Sequence, residues 1–175
     1  MIVEGQEDPA VWRELIKKAN LPANQINVQF VRNGGWAEAS KAAGLLRLLA
    51  KLGVSEVPFL LVLEADEDEG LKRDKLNEYA LTEDDYVILP LDIEAYLTDS
   101  PAIACVTGSS RAEVTSVLRK TKGRPSKQRL ERIFEELGSR GLSHAKRRRL
   151  AAALRRLPPD ILRVTDMIRA KLSVP

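Results

Sequence analysis

Short apolar runs alternate with stretches of three-to-four-residue apolar spacing through the first half of the chain. Ile2-Val3, Ile26-Asn27-Val28-Gln29-Phe30-Val31, Phe59-Leu60-Leu61-Val62-Leu63 and Tyr86-Val87-Ile88-Leu89 read as strands, expected near residues 1–5, 26–32, 58–65 and 86–90. Between the first two, Val11, Leu15 and Ile16 mark a helix over 8–19, with Asp8 placed to cap it and Pro9 in its first turn. A longer helix over 36–52 carries Leu45, Leu46, Leu48, Leu49 and Leu52 as its apolar residues and stops at Gly53. Gly70 to Tyr79 reads as a short helix or structured loop, and Leu91 to Leu97 as a helix. Strands alternating with helices at this spacing predict an α/β fold, a mainly parallel four-stranded sheet flanked by helices.

The second half has a purely helical texture. Residues 98–125 are punctuated by Gly108-Ser109-Ser110 and Gly123-Arg124-Pro125, with a helix expected only over Ala112 to Lys120. Leu130, Ile133, Phe134 and Leu137 follow the helical period from Ser126 to a stop at Gly138. A further helix runs from Ser143 to about Arg156 with Leu150, Leu154 and Leu157 on one face, and Ile161, Val164, Ile168 and Leu172 mark the last. Charge changes sign with texture. Residues 1–110 hold 10 Lys/Arg against 19 Asp/Glu, net −9, and residues 111–175 hold 18 against 6, net +12. Two parts follow: a domain over 1–110 and a basic helical extension over 111–175.

Composition narrows the class. With 175 residues and 44% hydrophobic content the chain can bury a real core, and no run approaches the roughly 18 apolar residues of a membrane span. Its start lacks the basic-then-apolar pattern of a leader, and the single cysteine, Cys105, forbids an internal disulfide, so a cytoplasmic setting without a membrane partner is expected. Cys105 reads as core filler. His144 stands alone beside Lys146-Arg147-Arg148-Arg149, with no Cys/His spacing to build a zinc site.

The candidate chemistry sits at strand ends. The third strand runs into Glu64-Ala65-Asp66-Glu67-Asp68-Glu69-Gly70, and the first into Glu4-Gly5 with Asp8 behind it. Ligands of open α/β sheets collect at the carboxyl ends of the strands. Carboxylates this concentrated repel one another unless neutralised, and Mg²⁺ or Mn²⁺, with their preference for oxygen ligands, would neutralise them. An acidic part holding metal, joined to a basic part attracting polyphosphate, fits a metal-dependent enzyme acting on nucleic acid. A hydrolase of small phosphates would not need the +12 surface.

Val3-Glu4-Gly5 after the first strand, Gly34-Gly35 after the second, Asp66-x-Asp68 after the third and Ile93-Glu94-Ala95-Tyr96-Leu97 after the fourth together resemble a TOPRIM domain, the fold shared by topoisomerases, primases and several nucleases. The isoleucine-glutamate-x-tyrosine-leucine element is similar to that of the OLD (overcoming lysogenization defect) nucleases. The resemblance covers about residues 1–97 and implies a two-metal Mg²⁺ or Mn²⁺ site for phosphodiester cleavage. It implies Glu4, Asp66 and Asp68 as core catalytic acids and Glu4, Asp8, Asp66, Asp68 and Glu94 as the metal ligands. OLD-type nucleases also use a lysine beyond the acids, for which Lys122 and Lys127 are nearest and Lys127 is taken as the catalytic candidate. Arg124, Lys127, Lys146, Arg147, Arg148 and Arg149 are the expected nucleic-acid contacts, DNA ahead of RNA. OLD proteins carry an ATPase domain before this module, whereas this chain has no Gly-x-x-x-x-Gly-Lys-[Ser/Thr] and Met1 lies three residues before the first acid. The chain then either acts alone, works with a separate ATPase subunit or is an excised piece of a longer protein, and a homodimer stands beside these among the partners to be considered. The alternative function is a non-catalytic TOPRIM module that binds nucleic acid or regulates a partner; topoisomerase and primase activities need domains this chain does not contain.

Overall fold

A computed structural model describes residues 1–32, 34–55, 57–65 and 69–173. Its contacts divide the chain into two compact units, Met1–Leu91 with Pro159–Pro175, and Asp92–Pro158. The boundary thus falls earlier than residue 110, and the last helix belongs with the acidic unit rather than with the basic helices that precede it. The physical reason is in that helix's partners. Lys171 lies 3.9 Å from Asp85 and over the ring of Phe59, and Arg169 donates to the carbonyl of Ala19.

In the first unit, four short strands form one parallel sheet: β1 (Ile2–Val3), β2 (Gln29–Phe30), β3 (Leu61–Glu64) and β4 (Tyr86–Leu89), ordered β2-β1-β3-β4. Ile2 pairs with both Gln29 and Leu61, and Glu64 with Leu89. Each strand lies inside its predicted range. The helices between them are α1 (Asp8–Lys18), α2 (Gly35–Lys51) and α3 (Glu69–Glu78). Stepping from β1 to β2 and from β2 back past β1 to β3 reverses direction, so right-handed crossovers put α1 on one face and α2 and α3 on the other. Period-two alternation then sorts the side chains: Ile2, Leu61 and Leu63 pack with Ala39, Ala43 and Leu76 on the α2/α3 face.

Helix α2 departs from its expected apolar stripe. It buries Ala39, Ser40, Ala43 and Gly44 and leaves Leu45, Leu48 and Leu52 at least half exposed. Small residues let α2 approach closely: a Cβ at Gly44 would lie 2.8 Å from Cβ of Tyr79 on the α3 side. The two glycines at the start of α2 serve different ends. Gly35 takes a left-handed φ of +50°, while Gly34 leaves room for Glu38 of the helix it precedes.

The second unit is helical: α4 (Ile93–Leu97), α5 (Ser100–Thr107), α6 (Arg111–Lys120), α7 (Ser126–Glu136) and α8 (His144–Ala153). Its core gathers Ile93, Ile103, Val114, Leu130, Ile133, Phe134 and Leu150. Asp92, Asp99, Ser110 and Ser143 each accept a backbone N–H in the first turn of the helix that follows, satisfying donors that have no partner inside the helix. Helix α5 was not expected, and on it Cys105 is exposed rather than in the core. Helix α9 (Pro159–Leu172) completes the first unit. No helix among the described residues is long and apolar enough to cross a membrane.

Candidate functional site

In a sheet of order β2-β1-β3-β4 the connections leave β1 in one direction and reach β3 in the other, and at such a switch point open α/β sheets bind ligands beside the carboxyl ends of the two strands. Glu4 directly follows β1, and Asp66 and Asp68 come two and four residues after β3. Asp66 and Asp68 lie outside the described residues. Glu4 shares the face of Ile2, two residues earlier, and so points toward α3. There its Oε2 accepts from the backbone N–H of Glu64 and from Nζ of Lys72, both at 3.3 Å.

Lys72 is the residue that sequence reasoning missed. Its side chain is 0% exposed, it donates to the Glu64 carbonyl at 2.7 Å, and its ammonium lies 5.7 Å from the centre of the Trp36 ring. Desolvating an ammonium costs several kcal/mol, so a lysine is buried only where acceptors and negative charge meet it. Helical spacing places Lys72 in line with buried Leu76, four residues on, and that is the signal that could have found it.

Asp8 holds the turn between β1 and α1. Its Oδ2 accepts from the Gly5 N–H at 2.8 Å, and a Cβ at position 5 would come within 2.7 Å of the same oxygen. The glutamate-glycine pair is thereby explained locally: glycine is needed because Asp8 folds back over it. With Oδ2 so engaged and the side chain buried, Asp8 shapes the turn that presents Glu4.

Glu94 and Arg147 belong to the second unit, where both are buried, with side chains 8% and 6% exposed, and form an ion pair. This corrects the expectation for Arg147: a guanidinium enclosed with Glu94 is not a surface contact for phosphate. Glu94, expected as a metal ligand, already has a cationic partner. Lys146 is also engaged, donating to the carbonyls of Arg140 and Gly141 at 2.7 and 2.6 Å. Arg148 and Arg149 are exposed on α8, as are Arg124 and Lys127 before and at the start of α7.

A carboxylate such as that of Glu4 offers the oxygen ligands a hard divalent cation prefers. Among the described residues no three Asp, Glu, His or Cys gather closely enough to hold one, so a complete set would have to draw on Asp66 and Asp68 beside Glu4. Compared with protein-family models, with characterised proteins and with solved structures, the chain matches none.

Proposed function

We propose that this chain is a TOPRIM-like, metal-dependent nuclease that cleaves phosphodiester bonds of DNA or RNA. One observation carries the proposal: Glu4 and the Asp66-x-Asp68 pair follow the two strands that flank the switch point of a parallel sheet, where α/β folds bind ligands. Glu4, Asp66 and Asp68 would hold Mg²⁺ or Mn²⁺, which when bound supplies an activated water and stabilises charge on the leaving oxygen. Lys72 fixes the orientation of the Glu4 carboxylate, and Asp8 fixes the turn that carries it. Glu94 is held by Arg147 inside the second unit and is not assigned to this site. Supercoiled plasmid and a single-stranded RNA incubated with Mg²⁺, Mn²⁺ or EDTA test the proposal. Cleavage that requires metal and disappears in Asp66→Asn supports it; intact substrate in every metal condition rejects it.

A second reading, a non-catalytic nucleic-acid-binding or regulatory module, is favoured by one specific observation. Glu4 and Glu94 each have a lysine or arginine as internal counter-ion, which is how a site retained without metal would keep its acids neutralised. The same plasmid assay separates the two readings.

A further inference from the structure

Several basic side chains on the surface helices of the first unit are tied to acids three or four residues away. Lys17 pairs with Glu14, Lys41 with Glu38, Arg73 with Glu69, Lys75 with Glu78 and Arg169 with Asp166. In the second unit Arg132 of α7 does the same with Glu135 and Glu136. Such pairs are the ordinary chemistry of a helix face that only meets water. Helix α6 gathers three cations outside such pairs on one face. Arg111, Arg119 and Lys120 are exposed, and none of them has an ion-pair partner among the described residues. The one acid of the helix, Glu113, is used at its start, where its carboxylate accepts from the Ser110 N–H at 2.8 Å while Ser110 Oγ accepts from the Glu113 N–H.

The arrangement of the exposed residues is as informative as their charge. Arg111, Thr115 and Arg119 form one row at four-residue spacing, and Ala112, Ser116 and Lys120 form the row beside it, the six lining a shallow open concavity. Val114 and Val117 lie on the opposite, buried face. Arginine, lysine and hydroxyl side chains are the groups that contact nucleic-acid phosphates, and a small residue between them lets the backbone of the ligand come close. Arg111 and Arg119 are eight residues apart, about 12 Å along the axis at 1.5 Å per residue. A duplex strand carries one phosphate per roughly 3.4 Å of axis, so the two guanidinium groups match phosphates three or four nucleotides apart. An anionic membrane surface would call for large apolar residues beside the cations, and this face has none.

We propose that the outward face of α6, through Arg111, Thr115, Ser116, Arg119 and Lys120, is a docking surface for the phosphodiester backbone of a nucleic acid. The choice of nucleic acid as the polyanion rests on the nuclease reading; the surface itself does not. It moves the main backbone contact away from the Lys146–Arg149 run, where Arg147 is buried and Lys146 is engaged internally. Recognition by this face is independent of base sequence, because it offers charge and hydroxyls to phosphates and nothing shaped to read a groove.

The test is fluorescence anisotropy in EDTA with the full chain and a labelled short DNA duplex, the same DNA single strand and its RNA counterpart, over a range of salt. Replacing Arg111, Arg119 and Lys120 together by alanine should lower the slope of log affinity against log salt by about 2–3 and weaken binding about tenfold or more near 0.1 M salt. Thr115→Glu alone should weaken binding without loss of helical circular dichroism. A control that removes the same formal charge from paired residues, Lys41→Ala, Lys75→Ala and Arg169→Ala together, should change the slope by less than about 1. An unchanged slope in the α6 triple variant, an equal loss in the control, or no binding by the wild type each overturns the proposal. Failure of the nuclease reading looks different: binding that depends on α6 but no cleavage with Mn²⁺ leaves this surface standing and removes the catalytic role.

Discussion

Replacing Lys72 by methionine keeps the length and apolar stem of the side chain and removes only the ammonium. In the wild type that ammonium is fully enclosed and donates to Glu4 Oε2 and to the Glu64 carbonyl. Two unit charges about 4 Å apart attract by roughly 4 kcal/mol at an effective dielectric of 20. Desolvating the pair consumes a similar amount, so the pair as a whole contributes little net stability. Removing one partner is another matter. A stranded buried charge costs about 3–5 kcal/mol, but the Glu4 side chain is 21% exposed and can recover some hydration, which lowers the cost. The unpaired Glu64 carbonyl adds about 1–3 kcal/mol at most. We expect Lys72→Met to destabilise the first unit by about 2–3 kcal/mol, or about 4–12 °C for a chain of this size. Trp12 and Trp36, the only tryptophans, both lie in that unit, so urea unfolding followed by tryptophan fluorescence in EDTA reports it without interference. In Glu4→Gln/Lys72→Met the loss should be smaller than the sum of the single losses. A midpoint for Lys72→Met within about 0.5 kcal/mol of wild type, or strict additivity in the double variant, refutes the assignment of Lys72 as the fixed partner of Glu4.

Two further outcomes follow from the second unit. Arg147→Met should destabilise it by about 3–5 kcal/mol because Glu94 is left buried and unpaired, and Glu94→Gln in the same chain should restore part of that; far-ultraviolet dichroism on thermal unfolding reads both, and two independent, additive effects would contradict the pair. The Glu113 carboxyl is held below its ordinary value of 4.5 by its bonds to Ser110. A carboxylate with a depressed folded pKa stabilises fully above that ordinary value and loses its contribution as pH falls through the lower folded one, so amide protection in the first turn of α6 should drop below about pH 4.5 and stay flat there in Glu113→Gln.

What could be read in the residues and what could not divides along physical lines. Strands announced themselves because a buried parallel strand is an apolar run with a turn residue at its end, and Phe59 to Leu63 needs nothing else to be recognised. Helix α5 was missed because Ser100 to Thr107 is apolar almost throughout and shows no period, although Asp99, Pro101 and Gly108 are a cap, a first-turn proline and a left-handed stop. Leucine content misled at α2, where close packing favoured alanine and glycine on the inner face and left Leu45, Leu48 and Leu52 outside. Charge runs misled in the same way. Arg147 sits among Lys146, Arg148 and Arg149 in sequence, yet one helical turn directs it inward to Glu94, a partner 53 positions earlier that no local pattern reveals. At the candidate site, Glu4 and its strand were legible, while Lys72 was not, because a lysine in a short charged helix reads as surface until the facing carboxylate is located.

Calorimetric titration of the metal-free chain with Mn²⁺, run beside Glu4→Gln and Asp66→Ala, tests most directly whether the acids after β1 and β3 act as one site. Saturable binding to the wild type, a matching rise in melting temperature from ligand linkage, and loss of both in either variant are the predicted results. No heat of binding and no thermal gain at millimolar Mn²⁺, or binding that neither substitution affects, would contradict the account.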